Sequence, residues 1–142
     1  MPRRKGNAEW KGGLKGGKGT VTVGDGVFQG AYSFGSRFEE GKGTNPEELI
    51  GAAHAACFSM ALSAALEKAG HEPRRVATTA DVELSVGEGG ARISTITLRT
   101  EGDVPGIDEA AFREQAEQAK KNCPVSKALT GVDIRLEEAR LL

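Results

Sequence analysis

An uncharged stretch from Leu49 to Leu66 restricts the fold of this chain more than any other feature, because its length is close to that of a membrane-spanning helix. Much of it is Ala, Gly, Ser and His, and no Trp, Tyr, Lys or Arg anchors both of its ends. These properties are more typical of a helix buried on all sides within a soluble protein. We therefore predict a long, buried central helix and no membrane span.

The residues that flank this stretch indicate where the helix begins and ends. Asn45 is a suitable N-cap, Pro46 occupies the first helical position, where its missing N–H has no cost, and Glu48 can complete a capping box. Gly70 provides a stop signal. The predicted helix thus runs from Pro46 to about Ala69.

Strands are predicted on both sides of the helix. The first 43 residues contain short Val, Thr, Phe and Tyr segments between glycine turns, a pattern typical of strands joined by tight turns. Residues 80–86 alternate apolar and polar side chains, as a half-buried strand does. A glycine-rich turn over 87–90 then leads into a second strand over about 92–101.

A second helix and a final strand complete the predicted order. Asp108 caps the helix, which ends before Pro124 because proline forces the preceding residue out of helical geometry. Apolar residues alternate again over 132–136, as in a strand. The order β-β-β-α-β-β-α-β defines an α+β fold, and the length suits a single domain over residues 1–142.

The charge balance argues against some classes of partner. Nineteen basic and 20 acidic residues give a formal net charge of −1, so no electrostatic case for nucleic acid arises. The locally basic start, from Arg3 to Lys18, is better explained by lysines that protect a strand edge. No charged region followed by an apolar one opens the chain, so we expect a cytoplasmic protein.

The two cysteines, Cys57 and Cys123, are the candidate reactive groups. Their separation excludes a CxxC loop, and two thiols with two unpaired histidines make a poor zinc site. A long-range dithiol, a structural disulfide and two unrelated thiols remain open. Because permanent disulfides are uncommon in a reducing cytosol, a transient pair with a cycling or catalytic role is favoured.

The surroundings of the two thiols predict different acidities. Cys57 lies in an apolar segment roughly 15 Å from the start of its helix, so burial would raise its pKa unless a cation offsets the effect. A buried, inert cysteine is the alternative at this position. Pro124 can open a short helix with Cys123 as its N-cap, where the helix dipole favours the thiolate. On local grounds Cys123 is therefore the more acidic thiol.

The motifs around both cysteines are similar to those of a known family. The first runs from Arg37 through Thr-Asn-Pro-Glu-Glu-Leu-Ile-Gly-Ala-Ala-His-Ala-Ala-Cys57, and the second is Asn122-Cys-Pro-Val-Ser-Lys-Ala-Leu129. Together they resemble the OsmC/Ohr family over essentially the whole chain. The Ala-His-Ala-Ala-Cys and Cys-Pro-Val-Ser forms resemble the osmotically inducible OsmC branch more than the organic-hydroperoxide-resistance branch.

The resemblance implies a thiol peroxidase of the oxidative stress response, which reduces organic hydroperoxides, and hydrogen peroxide less readily, without haem, flavin or metal. Cys57 would be the peroxidatic thiol, and Cys123 would convert its sulfenic acid to a disulfide. An external dithiol, either a lipoylated protein or a thioredoxin-like donor, would reduce that disulfide. Phe38, Phe58 and Met60 are expected among the apolar residues of the peroxide pocket.

The resemblance to the OsmC/Ohr family implies two further site residues, Arg37 and Glu47. The resemblance implies that Arg37 holds the Cys57 thiolate and orients the peroxide, while Glu47 orients Arg37. On charge arguments alone, a solvated surface pair is favoured instead. The family also forms an intertwined homodimer with active sites at the subunit interface. His54, three residues before Cys57, could tune the thiolate, but a hydrogen-bonded core histidine is the preferred interpretation.

Two other functions remain open. A non-catalytic dithiol redox sensor or binding protein would oxidise the same pair without appreciable turnover, and catalytic consumption of peroxide would distinguish the peroxidase from it. A thiol hydrolase with a Cys57–His54 pair is the weaker alternative, because both residues lie on one helix and no Asp or Asn orients the histidine.

Overall fold

The computed structural model describes residues 1–142, which divide into two compact units, Met1–Leu49 and Ile50–Leu142. Each unit contains a three-stranded sheet. Strands and helices follow the predicted order, with two additional helices of five residues each. The predicted α+β class is therefore confirmed.

The sheet of the first unit consists of β1 (Gly6–Lys11), β2 (Lys18–Val23) and β3 (Phe28–Tyr32). Neighbouring strands pair antiparallel in the order β1-β2-β3. Gly24 and Gly26, in the turn between β2 and β3, have φ angles of 61° and 101°, which strain residues with side chains. The prediction of short strands joined by glycine turns is confirmed.

A short helix that the sequence did not predict, α1 (Phe34–Phe38), follows β3. The Ser33 hydroxyl accepts a hydrogen bond from the Ser36 N–H at 3.1 Å, and the Ser36 hydroxyl accepts one from the Ser33 N–H at 2.8 Å. The Ser36 hydroxyl also donates to the Thr44 carbonyl at 2.7 Å. These bonds fix the position of Arg37, which lies in the last turn of α1.

The long helix α2 (Pro46–Lys68) has the predicted bounds to within one residue. Asn45 Oδ1 accepts the Glu48 N–H at 2.8 Å, as an N-cap does. The Glu48 carboxylate accepts a hydrogen bond from the Thr44 hydroxyl at 3.3 Å, where the predicted capping box would have paired it with the Asn45 N–H. Gly70, with a φ of 90°, follows the helix end.

The structure buries one face of α2 rather than its whole circumference. The buried face comprises Gly51, His54, Phe58, Leu62 and Leu66, and the exposed opposite face comprises Ala52, Ala53, Ala56, Met60 and Ala64. By length and composition alone α2 could cross a membrane, but Phe58, Leu62 and Leu66 pack in the core of the second unit, as in the core helix of a soluble protein. A single chain therefore leaves one small, apolar face of this helix uncovered.

The sheet of the second unit consists of β4 (Arg75–Gly87), β5 (Gly90–Asp103) and β6 (Asp133–Leu141). β4 and β5 form an antiparallel hairpin, and β6 pairs with β5 in parallel. The turn predicted over 87–90 joins the hairpin, and Asp81 and Glu83 are exposed as their alternation indicated. The predicted strands are thus confirmed, although β4 begins five residues earlier than expected.

Two helices connect β5 to β6. The first, α3 (Glu109–Asn122), begins at Asp108, whose carboxylate accepts the Ala111 N–H at 2.8 Å. The second, α4 (Pro124–Ala128), follows after the single residue Cys123. The core that α2, the sheet and α3 enclose is formed chiefly by Phe58, Leu62, Leu66, Ile96, Leu98, Phe112, Ala116 and Cys123.

Candidate active site

Cys57 and Cys123 lie together in the second unit, where their thiols hydrogen-bond to each other. Cys57 projects from the middle of α2 and is partly exposed, whereas Cys123 is fully buried at the junction of α3 and α4. Both thiols are free. Of the arrangements that the sequence left open, the structure favours a long-range dithiol.

Cys57 is the less acidic of the two thiols. Burial raises its pKa above the ordinary value of 9.0, and the hydrogen bond with Cys123 raises it further. The backbone N–H of Val125 acts in the opposite direction. Within the second unit, therefore, the surroundings of Cys57 favour its protonated form.

Cys123 has the opposite balance. Burial alone would raise its pKa, but the Cys57 thiol, the Ser126 hydroxyl and the N–H groups of Ser126 and Val125 together lower it below 9.0. Cys123 is the N-cap of α4, as predicted, but its side chain makes no capping hydrogen bond, so the N–H groups of the first turn act on the thiol through their partial charge. The order of acidity agrees with the one expected from the local sequence.

His54 lies in the core on the same helix as Cys57. It is fully buried on α2, and its Nε2 lies 2.7 Å from the Ser126 Oγ. Its Nδ1 is buried without a hydrogen-bond partner, and burial lowers the pKa of the imidazole below 6.5. The interpretation of His54 as a hydrogen-bonded core histidine is confirmed, but its partner contacts Cys123 rather than Cys57.

Arg37 and Glu47 form a two-nitrogen ion pair in the first unit. Arg37 Nη2 lies 2.8 Å from Glu47 Oε1, and Nε lies 3.1 Å from the same oxygen. The Glu47 side chain is only 10% exposed, against 35% for Arg37. The pair is therefore more buried than the solvated surface pair that charge arguments favoured.

Arg37 also lines an apolar cleft of about 240 Å³ within the first unit. The other lining residues are Trp10, Leu14, Tyr32, Ser33, Phe34 and Phe38. Phe38 thus lines a cleft, as expected of a pocket residue. The same expectation for Phe58 is wrong, because this ring is completely buried in the core; Met60 is 74% exposed on α2.

The structure brings the four predicted site residues together as two pairs, each inside one unit. Ser126, which contacts both His54 and Cys123, is a further residue of this site that the sequence motifs did not predict. Its position offered one signal, since a residue three places after an N-cap contacts the capping side chain. The sequence motif contained this serine, but only the fold reveals its partner on α2.

Comparisons with solved structures define the class of fold. The crystal structure of the organic hydroperoxide resistance protein OhrB of Bacillus subtilis superimposes with a TM-score of 0.76 at 30% sequence identity, covering 94% of this chain and 97% of that one. An OsmC-like protein from Mycoplasma pneumoniae gives the same TM-score at 18% identity. The fold is thus the one shared by OsmC-like and organic hydroperoxide resistance proteins.

Sequence comparisons identify the family. A family model described as OsmC-like protein matches residues 39–137, which include parts of both units. Peroxiredoxin OsmC of Escherichia coli K12 is 54% identical over 127 residues, which cover 89% of each chain. This chain belongs to the OsmC family, so the resemblance inferred from the two cysteine motifs is confirmed.

Proposed function

We propose that this protein is a cysteine-based peroxidase that reduces organic hydroperoxides. The observation that carries the proposal is the contact between the partly exposed Cys57 thiol and the buried Cys123 thiol. A relative named peroxiredoxin, at 54% identity, and relatives named organic hydroperoxide resistance proteins, at 33–37% identity, support it.

Exposure supports the assignment of roles to the two thiols. Peroxide from solution can reach Cys57, whereas Cys123 has no exposed surface. The Cys57 thiolate attacks one oxygen of the hydroperoxide, the O–O bond breaks, and the alkoxide leaves and becomes the alcohol on taking up a proton. Cys57 is left as a sulfenic acid. Its lower acidity does not prevent this step, because the proton that Cys57 loses can pass to the hydrogen-bonded Cys123 and from there to the leaving alkoxide, which leaves Cys123 as a thiolate.

The second half of the reaction uses the neighbouring thiol. The Cys123 thiolate attacks the sulfur of the Cys57 sulfenic acid, an S–S bond forms, the S–O bond breaks, and hydroxide leaves to become water. An external dithiol then reduces the disulfide by exchange and is itself oxidised to a disulfide. A lipoylated protein or a thioredoxin-like protein in the cytoplasm is the proposed donor.

Arg37 and Glu47 are proposed to serve the same reaction, as the family resemblance implies. The guanidinium would favour the peroxidatic thiolate and orient the peroxide, and Glu47 fixes its position through the two hydrogen bonds. The apolar cleft beside Arg37, within the first unit, has a size and lining suited to an alkyl group. A preference for organic hydroperoxides over hydrogen peroxide is proposed from the family resemblance.

We also propose that the protein is a homodimer. The exposed face of α2 is formed by alanines and Met60, and a second copy that covers it would remove an apolar surface from water. Small residues on that face would allow the two backbones to approach closely. The single chain supports this proposal because it leaves the most apolar helix half uncovered.

Stoichiometric oxidation tests the proposed chemistry. One equivalent of tert-butyl hydroperoxide, added to the reduced protein, should give a Cys57–Cys123 disulfide in peptide mapping, and dimedone should label Cys57 in Cys123→Ser. A disulfide that forms without repeated turnover in excess dithiothreitol would favour the alternative, a non-catalytic redox sensor. Absence of both products would refute the peroxidase.

A further inference from the structure

His54 is fully buried on α2, and the proposed reaction gives it no role. A buried polar side chain normally satisfies its hydrogen bonds, because an unpaired group loses its hydration without compensation. In His54 only Nε2 has a partner, the Ser126 Oγ at 2.7 Å, while Nδ1 has none. The Ser126 hydroxyl in turn contacts Cys123. Hydrogen bonds therefore connect the buried His54, entirely within the second unit, to one of the two reactive thiols.

The direction of these hydrogen bonds follows from the number of available protons. The Ser126 hydroxyl has one hydrogen, and the Cys123 thiolate can only accept. When Ser126 donates to Cys123, its oxygen must receive a hydrogen from His54 Nε2. Because burial lowers the pKa of His54, the ring is a neutral imidazole with a single N–H, and that N–H then lies on Nε2.

We infer that His54 is a positioning residue which, by donating from Nε2 to Ser126, holds the Ser126 hydroxyl toward Cys123 and keeps this thiol in the thiolate form that closes the disulfide. This role rests on the proposed peroxidase reaction, where it would set the rate of the resolving step. The groups that act on Cys123 are the Cys57 thiol, the Ser126 hydroxyl and the N–H groups of Val125 and Ser126. Among them, Ser126 is the one that His54 orients.

The chemical consequence concerns the lifetime of the Cys57 sulfenic acid. Disulfide formation requires Cys123 as a thiolate, whose lone pair forms the S–S bond while hydroxide leaves Cys57. A smaller thiolate fraction at Cys123 slows this step and leaves the sulfenic acid open to further oxidation or trapping. The His54–Ser126 pair would thereby protect Cys57 from irreversible oxidation.

The inference is tested by titration of Cys123 alone. In a Cys57→Ser background, thiolate absorbance at 240 nm is followed against pH, so the result does not depend on peroxidase activity. Adding Ser126→Ala should lower the thiolate-to-thiol ratio at pH 7 roughly tenfold, because a hydrogen bond to a charged group is lost. Adding His54→Leu should lower it about threefold, while His54→Gln, whose amide can donate in place of Nε2, should restore it to within about twofold.

Ser85→Ala is the matched control, because it also removes a part-buried serine hydroxyl, one that bonds Ser94 at 2.7 Å in the β4–β5 hairpin. It should leave the Cys123 titration unchanged. If His54→Leu does not fold, as judged by circular dichroism, Ser126→Ala and His54→Gln still decide the outcome. An unchanged titration in Ser126→Ala, or a His54→Gln titration displaced as far as that of Ser126→Ala, overturns the inference.

A second readout connects the titration to the reaction. With Cys57 present, dimedone should capture a larger fraction of the Cys57 sulfenic acid in Ser126→Ala than in the wild type or in Ser85→Ala. Equal capture in Ser126→Ala and the wild type would overturn the role in the resolving step. If neither a Cys57 sulfenic acid nor a Cys57–Cys123 disulfide forms, the proposed peroxidase reaction fails, while the Cys123 titration still decides the role of His54.

Discussion

Cys57 and Cys123 are far apart in sequence, yet their thiols hydrogen-bond to each other at the point where α2 passes the junction of α3 and α4. The buried partner is the more acidic and the exposed partner the less acidic, since the pKa of Cys123 is lowered and that of Cys57 is raised. A proton held between two such thiols can move from the exposed one to the buried one without crossing solvent.

The two thiols should ionise in a fixed order. In single-cysteine variants, Cys123 in Cys57→Ser should titrate at lower pH than Cys57 in Cys123→Ser, because burial raises the pKa of both thiols but more hydrogen-bond donors offset it at Cys123. Thiolate absorbance at 240 nm, followed against pH in each variant, measures the two titrations. The reverse order would contradict this balance of burial and hydrogen bonding.

The Arg37–Glu47 pair should matter for both stability and activity. Arg37→Ala leaves the nearly buried Glu47 carboxylate unpaired, so we expect a loss of about 1–2 kcal/mol in the free energy of unfolding. Arg37→Lys cannot present two nitrogens to Glu47, and kcat/KM for tert-butyl hydroperoxide should fall at least about tenfold. Urea unfolding and steady-state kinetics measure these effects.

Arg75→Ala is the control for this pair, since it removes an exposed arginine that bonds Glu101 at 3.1 Å. Arg75→Ala should lower the free energy of unfolding by less than about 1 kcal/mol and leave kcat/KM unchanged. Equal effects of Arg37→Ala and Arg75→Ala on both measurements would mean that the Arg37–Glu47 pair is an ordinary surface ion pair.

Stability should fall in mild acid because of His54. Its folded-state pKa lies below 6.5, so between that pKa and 6.5 the unfolded chain binds a proton that the folded protein does not. The free energy of unfolding should therefore decrease as the pH falls below 6.5, by up to about 1.4 kcal/mol per pH unit from this residue. Above 6.5 the contribution no longer changes with pH.

His54→Gln removes the titrating group and should lose less stability than the wild type between pH 7 and pH 5. Ser59→Ala, a change on the same helix at a hydroxyl that bonds Thr78, should keep the wild-type pH dependence. Urea unfolding at several pH values gives the slope of the free energy of unfolding against pH for each variant. Identical slopes for His54→Gln and the wild type would contradict the assignment of this pH dependence to His54.

The uncovered face of α2 predicts a dimer that a charge can disrupt. Met60→Asp should shift the protein from dimer to monomer in light scattering, because an aspartate would be buried without a partner at the proposed interface. Val86→Asp introduces the same charge at a residue that is 72% exposed in the β4–β5 hairpin and should leave the dimer intact. A monomeric wild type with full peroxidase activity would refute the dimer.

The elements that the sequence predicted correctly are those with local signals. The caps at Asn45 and Asp108, the stop at Gly70 and the hairpin turn over 87–90 each depend on a few adjacent residues, and the structure uses all of them. The helix α1 escaped prediction because five residues are too few to establish an apolar period beyond the single Phe34–Phe38 pair, and its capping box is formed by two serines.

The site was only partly predictable, because its contacts are long-range. The two cysteine motifs pointed to the two thiols that the fold brings together, but no pattern in the sequence connects His54 to Ser126, which lie on α2 and α4. Likewise, the burial of Glu47 could not be inferred from charge, since it depends on α1, which positions Arg37 and was not predicted. The candidate site residues could therefore be predicted from the sequence, whereas the residues they contact could be identified only from the fold.

Steady-state consumption of tert-butyl hydroperoxide and hydrogen peroxide, recycled by dihydrolipoamide or dithiothreitol, tests the peroxidase most directly. The wild type should turn over both peroxides and prefer the organic one, Cys57→Ser should be inactive, and Cys123→Ser should accumulate sulfenic acid on Cys57. Turnover that survives in Cys57→Ser, or its absence in the wild type, would contradict a peroxidase in which Cys57 reacts first.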